Sequence, residues 1–171
     1  MRAVNLTLVV WSLLLSAAIF GFFYAWICST MWGLDAADPR VAIAAMQAMN
    51  ASVRNAVFAP AFFGTPVVLA VTAVVVLTQK QRAAALAFAV AAVIYVGCCL
   101  LVTLNVNVPM NEALGQLAVP ASREEAEAIW NNYSAPWQFW NQLRTLAAGA
   151  SFLAAVFGGY LWLQNSRPER G

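Results

Sequence analysis

Four stretches without a charged residue, 3–34, 55–79, 83–111 and 145–166, constrain this chain more than any other feature of its sequence. A helix rises ~1.5 Å per residue and needs about 20 apolar residues to cross ~30 Å of hydrocarbon. Each stretch is long enough. The expected spans lie near 6–28, 57–79, 83–105 and 137–163. Residues 1–171 then form a single membrane domain, an all-α integral membrane four-helix bundle with short extracytoplasmic helices in the two outer loops. The lipid bilayer is its first partner. Composition agrees, with 63% hydrophobic and 9% charged residues against about 45–50% and ~25% in soluble domains. A soluble enzyme, a disordered tail and a nucleic-acid binder, which needs a basic stripe, are excluded. There is no histidine, and the three cysteines form no CxxC pair. Zinc sites built on His or paired Cys, His-based acid–base catalysis and Ser–His–Asp triads are therefore excluded as well.

Lys and Arg in the short flanks set the orientation. Arg2, Lys80, Arg82, Arg167 and Arg170 fall on one side, opposed only by Glu169. On the other side Arg40, Arg54, Arg123 and Arg144 are outnumbered by Asp35, Asp38, Glu112, Glu124, Glu125 and Glu127. Both termini are expected in the cytoplasm of an inner or plasma membrane, with loops 29–56 and 106–136 outside. The first span reads as a retained anchor: its apolar run is too long for a signal peptide, and no A-x-A-like site closes it. Asp38-Pro39 marks a helix start. Ser122-Arg-Glu-Glu125 has capping-box spacing and opens a short helix through Trp130. Ser134 before Pro136 reads as the cap of the fourth span, and Pro109 as a kink or stop in the third.

Polar residues beside hydrocarbon are costly unless partnered, so their positions carry the functional signal. They gather in Thr103–Glu112 and in Trp137–Thr145. Trp137, Trp140, Asn141 and Arg144 fall at i, i+3, i+4, i+7, one helical face. At ~1.5 Å per residue Arg144 lies roughly 10 Å along that helix. Two readings stand: a snorkelling anchor paired to Glu112, or the wall of a polar pocket with Asn105, Asn111 and Asn141. Trp130 and Trp137 fit an interfacial aromatic belt, whereas Trp140 is placed to face the interior. Gln47, Asn50 and Arg54 share a face of the outer helix, either solvated or folded down as a lid. Met31, Met46, Met49, Met110 and Cys28 fit ordinary packing and also the softness of a Cu(I) site. Asn50-Ala-Ser and Asn132-Tyr-Ser match the glycosylation sequon. Cys98-Cys99 is poor geometry for a disulfide and reads as helix packing.

Four ordered elements carry a resemblance: Gly21-Phe-Phe-Tyr24, Ala45-Met-Gln-Ala-Met-Asn50, Thr103-x-Asn105-x-x-Val-Pro109-x-Asn111-Glu-Ala-Leu114, and Trp130-x-x-Tyr133-x-x-x-Trp137-x-x-Trp140-Asn141-x-x-Arg144-Thr145. The chain resembles the anthrone oxygenase-like family of small four-helix membrane proteins, most of them bacterial. The resemblance implies oxidation of an anthrone to an anthraquinone by O2, with neither metal nor organic cofactor. In that chemistry an acidic benzylic CH2 loses a proton, and the electron-rich anion reacts with O2. The implied substrate-binding residues are Trp137, Trp140, Asn105, Asn50 and Gln47. Arg144, Asn141 and Asn111 would stabilise the oxyanion, and Glu112 would take the proton. One position departs: the family commonly has histidine where this chain has Gln142. The alternatives are a non-catalytic protein that holds a lipophilic aromatic or quinone-like ligand, and an accessory subunit of an oligomer or larger membrane complex.

Overall fold

The computed structural model describes residues 2–166, with side chains from Asn5 onward; Arg167, Glu169 and Arg170, used above for orientation, lie outside them. Helix α1 (Arg2–Ala25) runs through a π-helical turn, Trp26–Thr30, into α2 (Met31–Ala36). Next come α3 (Pro39–Ser52) and α4 (Phe58–Thr78). Helix α5 (Arg82–Ile94) continues through π-turns Tyr95–Leu100 and Thr103–Asn107 into α6 (Val108–Gly115), and α7 (Arg123–Asn165) closes the chain. Among the described residues there is no strand. Four continuous helices, Asn5–Ala36, Phe58–Thr78, Arg82–Gly115 and Arg123–Asn165, are long and apolar enough to cross a membrane. Large apolar side chains such as Leu14, Val74, Val93, Leu146 and Leu153 stand exposed around the bundle, as lipid contact requires.

Helix α1 packs on α4 and α7, and α5 packs on the same two. Small residues set the spacing. A Cβ added at Gly158 would lie 3.0 Å from the Phe88 ring and 3.3 Å from the Ala84 carbonyl oxygen. Buried hydroxyls clasp the helices: Ser12 Oγ lies 2.9 Å from Thr72 Oγ1, and Ser151 Oγ donates to the Ala91 carbonyl at 2.8 Å. Pro66 sits inside α4 and has no N–H for the carbonyl four residues back. That carbonyl, on Phe62, accepts instead from the buried Tyr95 hydroxyl at 2.9 Å. Lys80, in the left-handed region at φ 62°, turns α4 tightly into α5. Gln79 and Gln81 of this turn bond Trp162 and Ser166, so the cationic turn and the C-terminal end of α7 share one end of the bundle.

The opposite end carries a second layer. Met31, Ile43, Met46, Leu114, Ala126, Trp130, Tyr133 and Trp137 form a core distinct from that of the bundle. Asp38 caps α3 with Pro39 in its first turn, as the sequence predicts. Ser122 likewise caps α7. What the sequence predicts as a loop helix and a separate fourth span is instead one helix of 43 residues, ~65 Å long. Ser134 caps nothing. Its Oγ donates to Asp35 at 2.7 Å, beside the Trp130 indole N–H at 2.9 Å and the Gln138 amide at 2.9 Å. Asp35 thus ties α2 to three turns of α7 across Pro136, which the helix absorbs. Pro109 does not end the third span either: the Thr103–Asn107 π-turn precedes it, and helix continues to Gly115.

Candidate functional site

A cavity of about 620 Å³ lies between the two cores, at the level of the π-turns. Its walls come from Phe22, Phe23 and Trp26 of the first helix, from Met49, Asn50 and positions between Val53 and Phe63 around the α3–α4 connection, from one face of the third helix (Thr103, Leu104, Asn107, Val108, Asn111 and Glu112), and from Trp137, Asn141 and Arg144 of α7. π-Turns are frequent at functional sites, because the inserted residue widens the helix and re-aims side chains. Helix α4 packs on α5 and on Tyr95–Leu100, then draws away from the Thr103–Gly115 segment. Phe63 and Leu104 line this gap while 49% and 44% exposed.

Arg144 organises the pocket and is only 4% exposed. Its Nη1 donates to Thr103 Oγ1 and its Nη2 to Asn141 Oδ1, both at 3.0 Å. The guanidinium carbon lies 4.6 Å from the Phe23 ring centroid and 5.5 Å from that of Trp137. Aromatic faces attract a cation, most strongly where water is excluded. Among the described residues the ion pairs are Arg40–Asp38 and Arg54–Glu112, so no carboxylate neutralises Arg144. The snorkelling reading, with Glu112 as its partner, does not describe this side chain. Arg144 Nε is buried without a hydrogen-bond partner. An uncompensated cation in an apolar cavity is a receptor for an anion or for an oxygen that develops negative charge.

Asn141 is held by its own donor, Nδ2, on the Phe23 carbonyl at 3.1 Å, which leaves Oδ1 to orient Arg144. Asn111 Oδ1 accepts from the Tyr133 hydroxyl at 2.7 Å and from the Trp137 indole at 2.9 Å. Both lone pairs are used, so the amide is fixed with its NH2 group as the remaining function. Asn50 Nδ2 reaches Tyr133 at 3.5 Å and completes this roof. Glu112 stands at the rim, 55% exposed, its Oε1 accepting from Arg54 Nη2 at 2.9 Å.

The structure therefore brings Arg144, Asn141, Asn111, Trp137, Asn50 and Glu112 to one cavity. Three candidates lie elsewhere. Gln47 donates to the Leu114 and Leu117 carbonyls and fastens α3 to the loop after α6. Asn105 is exposed and bonds the Leu101 carbonyl of its own helix. Trp140 packs edge-on against exposed Phe139 and lines no part of the cavity. At 3.6 residues per turn it points about 60° away from Trp137, on the flank opposite Asn141. Among the cavity residues that the sequence did not single out as candidates are Asn107, although it lies in the Thr103–Glu112 polar cluster, and Phe23. Asn107 is 1% exposed and follows Thr103 and precedes Asn111 by four residues each, a spacing that marks it. Phe23 stands in the Gly21-Phe-Phe-Tyr24 element of the resemblance, but nothing in the sequence places its ring against Arg144.

A family model for anthrone oxygenase matches residues 54–154, which include the third-helix motif, Trp137, Asn141 and Arg144. The chain belongs to the anthrone oxygenase family. The match begins at Arg54, on the cavity rim, and ends within the membrane part of α7, so it contains every polar lining residue except Asn50. Neither a curated protein nor a solved structure matches this member of the family. Gln142 is exposed and lines no part of this cavity.

Proposed function

We propose that this anthrone oxygenase family member oxidises a lipophilic aromatic substrate with O2 inside the cavity. The observation that supports it most is Arg144, buried among aromatic rings with no carboxylate partner among the described residues. A volume of about 620 Å³ suits a flat molecule of several rings. The less buried aromatic walls, Phe22, Trp26, Phe58 and Phe63, supply surface for its rings. In this reading Glu112 takes a proton from the substrate CH2, and Arg144 with Asn111 holds the oxygen on which the charge settles. The carbanion adds O2, protonation gives a hydroperoxide, and loss of water leaves the carbonyl. The CH2 group and one O2 thus become C=O and water, with no further reductant. The gap beside Phe63 and Leu104 admits substrate from the bilayer. In this reading the termini and the Lys80 turn are cytoplasmic and the cavity end faces outward, as the placement of Lys and Arg supports.

One observation favours a second reading, a holder of anionic or quinone-like amphiphiles without turnover: Glu112 is the single carboxylate among the described lining residues and is already engaged by Arg54. O2 uptake separates the two. With anthrone and protein in lipid nanodiscs, wild type is expected to consume O2 above the blank, and Arg144→Ala to fall by about 100-fold or more, the usual loss when an oxyanion donor is removed. Binding of the product quinone without any uptake would sink the oxygenase reading and leave the holder.

A further inference from the structure

Among the described residues, Asn107 is the one buried side chain with two polar atoms that lack a hydrogen-bond partner. It is 1% exposed, and neither Nδ2 nor Oδ1 has a hydrogen-bond partner. Buried amides are nearly always bonded, and an exception calls for an explanation. Asn107 ends the Thr103–Asn107 π-turn and lines the cavity. The residues one turn to either side are both occupied by α7: Thr103 accepts from Arg144, and Asn111 accepts from Trp137. Asn107 alone on this face is left with both functions free, and a carboxamide offers a donor and an acceptor side by side in one plane.

We propose that Asn107 is a specificity-determining residue that recognises a ligand edge carrying two adjacent oxygens, at least one of them an O–H, as in a catechol or a vicinal hydroxyketone. The ligand O–H donates to Oδ1 and the neighbouring oxygen accepts from Nδ2. Arg144 Nε, a second buried donor of the cavity lining without a partner, is left for an oxygen elsewhere on the same ligand. An apolar ligand of the same shape would leave the amide unpaired, so discrimination comes from the unmet hydrogen bonds of the rejected molecule. This deepens the oxygenase reading, on which it rests for the aromatic class of the ligand.

The test is equilibrium binding, which does not require turnover. The probes are 2,3-dihydroxyanthraquinone and 2,3-dimethoxyanthraquinone, measured against the protein in lipid nanodiscs with empty nanodiscs as blank. Wild type is expected to prefer the dihydroxy probe by about tenfold or more. Asn107→Leu, which conserves volume, is expected to bind the two probes within about twofold of each other. The same variant is expected to melt at or above the wild-type temperature, because an unsatisfied buried amide has been removed. A structural asparagine would lower the melting temperature instead. Equal binding of both probes by wild type, or preference retained in Asn107→Leu, overturns the proposal. Selective binding with no O2 uptake on anthrone sinks the oxygenase reading alone, and O2 uptake without selectivity sinks this proposal alone.

Discussion

Single residues in this protein are held by the backbone groups that helices leave behind. Tyr95 illustrates it: its hydroxyl satisfies the Phe62 carbonyl that Pro66 cannot reach. Tyr95→Phe is expected to destabilise by about 1–3 kcal/mol, the range for a buried acceptor left unpaired. In a Pro66→Ala background the new N–H bonds that carbonyl, so the same substitution is expected to lose most of its effect. Thermal unfolding of the four proteins completes this cycle, and equal losses in both backgrounds would separate the two residues. The sequence displays both of them, but nothing in it pairs positions 66 and 95. Arg144 and Asn141 were legible because polar residues in an apolar run announce themselves. Trp140 was misplaced by the same logic. A four-residue face is about 100° wide, and Trp140, at its edge, is half-buried and lies outside the arc that lines the cavity.

At the scale of elements, two devices fix where α7 runs. Gly158 lets α5 approach it, and Gly158→Leu is expected to lower the melting temperature because the Phe88 ring and the Ala84 backbone stand at 3.0 and 3.3 Å from the first added atom. Gly21→Leu is the control, since nothing lies within 4 Å of its added Cβ. Asp35 is the second device. Asp35→Ala removes the acceptor shared by Trp130, Ser134 and Gln138, and hydrogen exchange in 123–138 is expected to quicken while 145–165 stays protected. Capping signals placed the starts of α3 and α7 correctly. They failed at Ser134, because a serine before proline is locally a good cap and only Asp35, 99 positions away, redirects its hydroxyl. At the start of α3, the Arg40 side chain and backbone N–H donate to Asp38 and hold its carboxyl well below the usual range. A depressed folded value stabilises above the unfolded one and is lost as pH falls. Protection of the first turn of α3 is therefore expected to fade below about pH 4.

Over the whole molecule, four hydrophobic runs make the membrane bundle readable in the sequence, since length and absence of charge leave a helix few other places to go. The head was not readable. It is built from residues whose periodicity is ordinary and whose partners lie far off in the chain, Met31 with Ile43, Leu114 and Trp130. The orientation is checked by single cysteines in a background with Cys28, Cys98 and Cys99 replaced. A thiol at Lys80 is expected to react with an impermeant reagent only from the cytoplasm, and one at Ser122 only from outside; the reverse pattern would invert the molecule. The two cores meet at the cavity, so the seam between them is the one place where a guest could act as mortar. A molecule lodged there touches both storeys at once. Its arrival should make them melt together, whereas the empty protein should come apart at that joint first, shedding its upper storey while the lower one stands.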